Sequence, residues 1–538
     1  MPIVDYDLNF RRTWMFPRNI RRIHPWKIAQ ICSLLRQELQ GNVWSGNQNI
    51  QNAFCKALEA AKLKRAGLQY NPKSGGPRTY LAQLKCLGLV FERTDGTIWF
   101  TKAGEDLAEG KSPLPILQKL LLRHQYPSVY SQLRNIKINP EIKVKPFLFL
   151  LKLLTDSRIV SLSNEELTIP VVYGHDEDCY ELCVDKILAF RESKNVQCIA
   201  EPRTSLYTPR TAKRSIAESL KDVKNIANTC KNYLQGACLV VSERVNAKEI
   251  IRINKDFLPL VNAEFCRSKI FIPVTVEEES FQRAYGCLDR VKDTRNLTKE
   301  NISLEQPAGK HIIMALFYQY CGEKVVLDYP EEFVGQMKNE FGFEEAFVRK
   351  TIEPFVSKTL SFYESTFIEL SRGGVATALR FEKAVGELFE KRLFFTVKHT
   401  GQLHRSSGVG GYSDHFIKSG DNKRCALVEV KSSPSYNLSA DDYYTMVSNY
   451  IPNCKELCNG EDLLLEFCLY VAGGFQEKGV KTKLKEIFSA THIPVSGITA
   501  FELLRVAQHG LSKAQQDKIC TLFRENTIVT ASNLNKDG

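Results

Sequence analysis

The segment from Gly411 to Lys431 constrains the fold most, because it alternates apolar and polar residues on both sides of a turn. Ser419 to Asn422 supply the turn, and an apolar strand pattern follows it and ends in Glu429 and Lys431. Strand side chains alternate between faces, so these two residues share one face of the second strand. Asp414 lies early in the first strand. The segment therefore predicts a β-hairpin that places two acids and a lysine together.

Two carboxylates beside a lysine are a donor set that suits phosphodiester hydrolysis. Asp414 and Glu429, with the carbonyl oxygen of Val430, can hold Mg²⁺ against a phosphate, while the Val430 side chain points into the core. Lys431 can orient or deprotonate a water molecule and stabilise developing negative charge. Glu382 lies in a helical pattern before the hairpin and would assist a metal ion or its water. The set predicts a nuclease of the PD-(D/E)xK type.

The spacing of an acid two residues before a lysine is weak evidence by itself, since the chain contains several other examples. They are Glu109/Lys111, Glu141/Lys143, Glu192/Lys194, Asp222/Lys224 and Asp421/Lys423. Only the Glu429 pair lies in a buried strand pattern with an acid on a preceding strand. The alternatives are a solvated hairpin and, for Glu382, an ordinary exposed glutamate on a helix.

The charge is concentrated at one end of the chain. The whole sequence carries 73 Lys and Arg against 61 Asp and Glu, a formal charge of +12. Residues 1–150 hold 23 basic and 10 acidic residues, so the remaining 388 residues sum to −1. A basic N-terminal part indicates contact with the phosphate backbone of nucleic acid. The near-neutral remainder is then expected to have a different function.

The first part of the chain reads as a winged helix. Residues 50–63 and 78–88 have helical patterns, and the strand patterns 89–93 and 97–101 flank Asp95-Gly96, a hairpin turn signal. The second helix would enter the major groove of DNA. Its exposed residues predicted to contact base edges and phosphates are Arg78, Thr79, Gln83 and Lys85. Those predicted to hold the backbone are Lys73, Arg93, Arg11, Arg12, Arg18, Arg21 and Arg22.

These patterns predict a multidomain α+β and α/β protein. We expect an N-terminal winged-helix recognition module at 1–144, a second helical recognition module at 145–213 and a third winged-helix-like module at 214–279. A helical linker at 280–370 and a PD-(D/E)xK nuclease fold at 371–538 follow. The alternative for the linker is that it belongs to the nuclease domain itself.

The cysteines indicate a reducing compartment. The chain has 16 of them but no CxxC pair. Cys179/Cys183 and Cys454/Cys458 are four residues apart, and neither pair has a His–Cys partner at zinc spacing. We therefore expect small apolar core residues. With no signal peptide and no apolar run of membrane-spanning length, the sequence predicts a cytoplasmic protein that does not associate with membranes.

A family resemblance rests on residues 28–54, Pro77–Phe91, Thr101–Leu107, His124–Ser128 and Asp222–Thr229, and on Phe381, Glu382, Asp414 and Glu429. Over most of its length the chain resembles the AlwI-type restriction endonucleases and their relatives, the type IIS nicking enzymes. This resemblance implies catalytic roles for those three acids, and Lys431 is added by the wider nuclease motif. Ser413 stands where the motif usually has proline.

The resemblance implies a Mg²⁺-dependent type II site-specific deoxyribonuclease. It would read a short asymmetric sequence in double-stranded DNA and cut a few base pairs away, leaving 5′-phosphate and 3′-hydroxyl ends. Expected partners are a cognate DNA methyltransferase in the same system and, for double-strand breaks, a transient homodimer or a small nuclease subunit. The alternatives are a site-specific nicking enzyme, the large subunit of a heterodimeric enzyme, a structure-reading repair or mobile-element nuclease, and a DNA-binding regulator with an inactive nuclease domain.

Overall fold

The computed structural model describes most of the chain. The described residues are 11–17, 23–63, 76–132, 138–193, 216–245, 248–274, 277–289, 292–298, 309–326, 328–401, 403–405, 408–409, 411–421, 423–509 and 515–535. They divide into two compact units. The N-terminal unit comprises residues 1–320 with 332–355, and the C-terminal unit comprises residues 321–331 with 356–538. The five-part division from the sequence stays a prediction.

The N-terminal unit is mainly helical. Its helices are Pro25–Leu39, Gln48–Ala60, Gly76–Cys86, Lys102–Ala108, Pro113–Arg123, Val129–Gln132, Pro146–Thr155, Thr168–Tyr173, Tyr180–Ser193, Ile216–Gly236, Leu258–Phe265, Glu278–Tyr285, Lys310–Glu323, Glu331–Phe341 and Glu345–Val356. None of the helices in the described ranges has the length and apolar character that crossing a membrane requires.

The helix-and-hairpin order predicted for the first module is present. Helix Gly76–Cys86 precedes strands Val90–Glu92 and Ile98–Phe100, which pair antiparallel around Gly96 at φ +79°. Gly88 ends the helix at φ +70°, and a Cβ there would lie 2.2 Å from the ring of Tyr285. Both the backbone and the packing therefore require glycine at this position. That this arrangement is a winged helix which reads DNA stays a prediction.

The second and third predicted modules share a sheet. Strands Val240–Val245 and Lys248–Ile253 pair antiparallel, and Leu162–Ser163 pairs with the second of them. The described part of the segment predicted as a linker is mainly helical, and helix Glu278–Tyr285 at its start packs against the Val90–Glu92 strand. The predicted linker is divided between the two units, because residues 321–331 and 356–370 belong to the C-terminal unit and its other residues to the N-terminal unit.

The C-terminal unit is built on a six-stranded mixed sheet. Its strand order is Ile528–Val529, Val495–Thr499, Leu464–Ala472, Arg424–Lys431, His415–Lys418 and Thr396–His399. The first four strands are parallel, and the last two continue the sheet antiparallel. We call Arg424–Lys431 the central strand. Its register places Val428 opposite His415, so the hairpin predicted from the sequence is confirmed.

Helices connect and cover these strands. They are Thr359–Leu370, Ala378–Lys391, Ala440–Thr445, the π-helix Met446–Tyr450, Ile451–Leu457, Glu477–Thr491, Ala500–Gln508 and Gln516–Phe523. We call Ala378–Lys391 the glutamate helix, since it carries Glu382. Its apolar residues Phe381, Val385, Leu388 and Phe389 recur at helical spacing and are buried, so the helical pattern predicted around Glu382 is confirmed. The helix packs against the central strand and against strand Thr396–His399.

Candidate active site

The central strand and its antiparallel neighbour bring the predicted acids together. Asp414 immediately precedes strand His415–Lys418, and its Oδ2 accepts a hydrogen bond of 2.7 Å from the Val430 amide. Glu429 Oε2 accepts one of 3.3 Å from the Asp414 amide. These reciprocal bonds join the two strands at the predicted site and fix both carboxylates. The alternative of a solvated hairpin is wrong, because Glu429 is only 4% exposed.

Lys431 completes the cluster from the end of the central strand. Its Nζ lies 2.8 Å from Glu429 Oε1 and 3.7 Å from Asp442 Oδ1. Ser439 and Asp442 form a capping box at the start of helix Ala440–Thr445, so Asp442 both caps this helix and faces Lys431. Val430, expected to point into the core, is half-buried.

Glu382 faces the same site from the glutamate helix. A Cβ built on Gly401 would lie 2.8 Å from Asp414 Oδ1 and 3.5 Å from Glu382 Oε1, so both carboxylates border this glycine. Burial, together with the charge of Glu429, raises the pKa of Glu382. The four predicted site residues therefore lie close together, and Gly401, which has no side chain, leaves space beside Asp414 and Glu382.

Burial and mutual repulsion act on the acids of this cluster. Burial is the main cause that raises the pKa of Asp414, with a further contribution from Glu382. Burial and the charge of Asp414 raise the pKa of Glu429, and Lys431 opposes that shift. The same carboxylates raise the pKa of Lys431 despite its burial. The site thus holds an excess of negative charge that a bound cation would relieve.

Two groupings were not predicted from the sequence. One nitrogen of His399, one of His415 and one Glu382 oxygen lie within 4.8 Å of one another. The sulfurs of Cys425, Cys454 and Cys458 do so as well. The zinc-spacing argument missed the cysteines because Cys425 comes from the central strand and the other two from the end of a helix. The only sequence feature that could have indicated the histidine grouping is the position of His415 directly after Asp414.

Most of the described residues that were predicted to contact DNA are buried or paired within the protein. Gln83 is 2% and Lys85 9% exposed, so the prediction that both are exposed is wrong. Lys85 Nζ lies 2.6 Å from Glu92 and 3.2 Å from Glu278, a residue nearly 200 positions away. The periodicity of the helix could not reveal that partner. Lys85 therefore neutralises two half-buried acids.

Arg93 is also engaged within the protein. Its guanidinium donates to both oxygens of Glu279 at 2.9 and 3.0 Å and lies 4.6 Å from the centroid of the Trp99 ring. Arg11 and Arg12 are buried. Arg78 is exposed and Thr79 half-buried, as a surface contact requires. Lys73, Arg18, Arg21 and Arg22 lie outside the described residues.

We expect Lys85→Met to destabilise the N-terminal unit by about 3 kcal/mol, because it leaves Glu92 and Glu278 without their cation. Chemical denaturation measures the loss. The double variant Lys85→Met/Glu278→Gln should recover part of the stability. An unchanged free energy of unfolding with loss of DNA binding would instead restore the assignment made from sequence.

The C-terminal part of the chain matches a model of a known protein family. Residues 342–530 match the family model described as the FokI cleavage domain. This part of the chain is therefore similar to the cleavage domain of a restriction endonuclease. This confirms the sequence-based prediction of a site-specific deoxyribonuclease with its nuclease domain at the C-terminus. The narrower resemblance to the AlwI-type enzymes stays a prediction.

Solved structures of two endonucleases are similar to this chain at low identity. Restriction endonuclease FokI, in two structures of which one is described as bound to DNA, is 13% identical over 96% of this chain and 100% of that chain, with a TM-score of 0.27. The BpuJ1 endonuclease binding domain, in complex with pyrene- and phenanthrene-modified DNA, is 14% identical over 52% of this chain and 98% of that chain, with a TM-score of 0.36. TM-scores this low support no conclusion about individual residues of this chain. No curated protein sequence matches it.

Proposed function

We propose that the N-terminal unit reads a short asymmetric sequence in duplex DNA and that the C-terminal unit hydrolyses phosphodiester bonds a few base pairs to one side. The observation that supports it best is the cluster of Asp414, Glu429 and Lys431 inside the segment that matches a cleavage domain. The concentration of positive charge in residues 1–150 supports the division of labour.

The residues of the cluster suit Mg²⁺. Asp414 and Glu429 offer hard oxygen donors, and their raised pKa values reflect negative charge confined in a buried site. These two carboxylates and the Val430 carbonyl would hold the ion, with Glu382 as a further oxygen donor. When bound, the ion would supply Lewis-acid activation of the phosphate and of a water molecule.

The hydrogen bonds within the cluster indicate what each of its side chains does. The Val430 amide orients Asp414, and Lys431 keeps one oxygen of Glu429 in place. Because neighbouring carboxylates raise the pKa of Lys431, this side chain is an ammonium ion at neutral pH. An ammonium ion cannot accept a proton. Lys431 is therefore favoured to orient a water molecule and to stabilise negative charge, rather than to deprotonate the water.

Arg78 is our candidate for sequence reading, since it is exposed near the start of helix Gly76–Cys86. We expect Arg78→Ala to weaken specific binding by roughly 1–3 kcal/mol, the contribution of an arginine that contacts guanine. Fluorescence anisotropy with cognate and scrambled duplexes at one salt concentration measures the difference. Lys56, exposed on helix Gln48–Ala60, provides a matched Lys56→Ala control. Equal losses on both duplexes would assign Arg78 to the backbone.

The cluster described above can cut one strand at a time. A double-strand break would require a second cleavage domain, from a transient homodimer or a small nuclease subunit. A cognate DNA methyltransferase would protect the host. The described cysteines are free thiols, which supports the predicted cytoplasmic location.

The test is incubation of the full chain with supercoiled and linear phage DNA, with Mg²⁺ or with a chelator. We expect discrete fragments that require Mg²⁺, and a rate of double-strand cleavage that rises more than linearly with protein concentration. Nicked circles alone would indicate a nicking enzyme. Sequence-specific binding without any cleavage would contradict the proposal and favour a regulator.

A further inference from the structure

Three elements of the C-terminal unit bring two imidazoles to Glu382. The carboxylate comes from the glutamate helix, His399 from the edge strand Thr396–His399 and His415 from the start of the neighbouring strand. One donor atom of each residue lies within 4.8 Å of the other two. The rings of His399 and His415 meet edge to face at 4.8 Å between centroids. This grouping adjoins the carboxylate cluster and shares only Glu382 with it.

The glutamate helix is shaped to admit both rings. Gly386 lies one turn after Glu382, and a Cβ there would lie 2.7 Å from Cε1 of His399 and 3.2 Å from Cε1 of His415. Glycine inside a helix costs about 0.5–1 kcal/mol relative to alanine. The position therefore gives up helix stability and gains space for two imidazoles.

The hydrogen bonding of His415 leaves one of its nitrogens available. The ring is fully buried, and Nε2 lies 2.9 Å from the carbonyl oxygen of Glu382. A carbonyl only accepts, so Nε2 carries the proton and Nδ1 carries a lone pair. Nδ1 is buried and has no hydrogen-bond partner among the described residues. Coordination through Nδ1 would occupy that lone pair, and coordination through Nε2 would replace the bond to the carbonyl.

Two imidazoles and one carboxylate form a donor set that suits Zn²⁺ or Co²⁺ rather than Mg²⁺, which prefers oxygen. We propose that Glu382, His399 and His415 form a second cation site, selective for such a transition-metal ion. His399 is exposed, so an ion can reach the site from solvent. The consequence for cleavage rests on the proposed function: an ion here withdraws Glu382 from the carboxylate site and inhibits Mg²⁺-dependent cutting.

The test is Co²⁺ binding by the full chain in excess Mg²⁺. Equilibrium dialysis measures the affinity, and visible absorption reports the ligands of the bound Co²⁺. We expect the wild-type protein to bind Co²⁺ through nitrogen and oxygen ligands, and His399→Gln to bind it about tenfold more weakly or worse. His509→Gln, which changes an exposed histidine of the same unit, should bind like the wild type. Cys454→Ser should as well, which separates this site from the cysteine cluster. Equal binding by the wild type and His399→Gln would overturn the proposal.

Two further results separate this proposal from the proposed function. Co²⁺ binding that depends on His399, in a protein that never cuts DNA with Mg²⁺, would leave the cation site standing and remove the nuclease mechanism. Mg²⁺-dependent cleavage by a protein that takes up no Co²⁺ would remove the cation site alone. In that case the two histidines would only position Glu382 and fill the space beside Gly386.

Discussion

Asp414→Asn is expected to abolish cleavage while leaving DNA binding intact. Asparagine keeps an oxygen that can accept from the Val430 amide, so the strand pairing survives, but it removes the charge that a divalent ion requires. Losing a ligand worth several kcal/mol in the transition state lowers the rate by about a thousandfold or more. Single-turnover cleavage of a mapped substrate measures the rate, and anisotropy measures binding.

The same variant should be more stable than the wild type in a chelating buffer at neutral pH. The pKa of Asp414 is raised in the folded protein, so its ionised form opposes folding above that pKa. The difference between the two proteins should shrink as the pH falls toward the ordinary range of an aspartate, where the group is protonated when folded. A gain of about 1 kcal/mol raises Tm by roughly 2–4 °C. A lower Tm would contradict the repulsion inferred at this site.

Lys431→Met should abolish cleavage as well, but with the opposite effect on stability. Removing the ammonium leaves Glu429, 5% exposed in its side chain, without its ion-pair partner. We expect a loss of about 3 kcal/mol in chelating buffer at neutral pH. Since Glu429 already has a raised pKa, acidification should protonate it and restore much of the lost stability. Thermal denaturation across the pH range measures both effects.

Lys431→Arg is the matched control, because it keeps the charge but changes the geometry of the donors. It should retain the stability of the wild type and lose most of the cleavage activity. If Lys431→Met were as stable as the wild type at every pH, the ion pair with Glu429 would not hold the site together. If Lys431→Arg cut DNA at the wild-type rate, charge alone would explain the role of this residue.

The hairpin was predictable because its signals are local. A turn at 419–422 and an apolar strand fix the positions of Asp414 and Glu429 relative to each other, and the structure brings them together as expected. Helical spacing around Phe381 likewise located the glutamate helix. Each of these features lies within one short stretch of sequence, residues 411–431 or 378–391.

The features that sequence reasoning missed depend on distant contacts. Lys85 was expected on the surface, but Glu278 approaches it from a helix that lies far along the chain. His399 and His415 meet because two strands pair, and Gly386 makes room for them from a helix. Cys425 reaches Cys454 and Cys458 in the same way, so motif spacing along the chain could not identify the group. Exposure of a polar side chain cannot be inferred from the period of its own helix.

Run-off sequencing of the products from phage DNA tests the central claim most directly, since it locates each break relative to the sequence that directs it. Our account predicts Mg²⁺-dependent breaks at one fixed distance to one side of a single short asymmetric sequence. Breaks inside a symmetric sequence, or scattered without reference to any sequence, would contradict the division between a reading unit and a cutting unit.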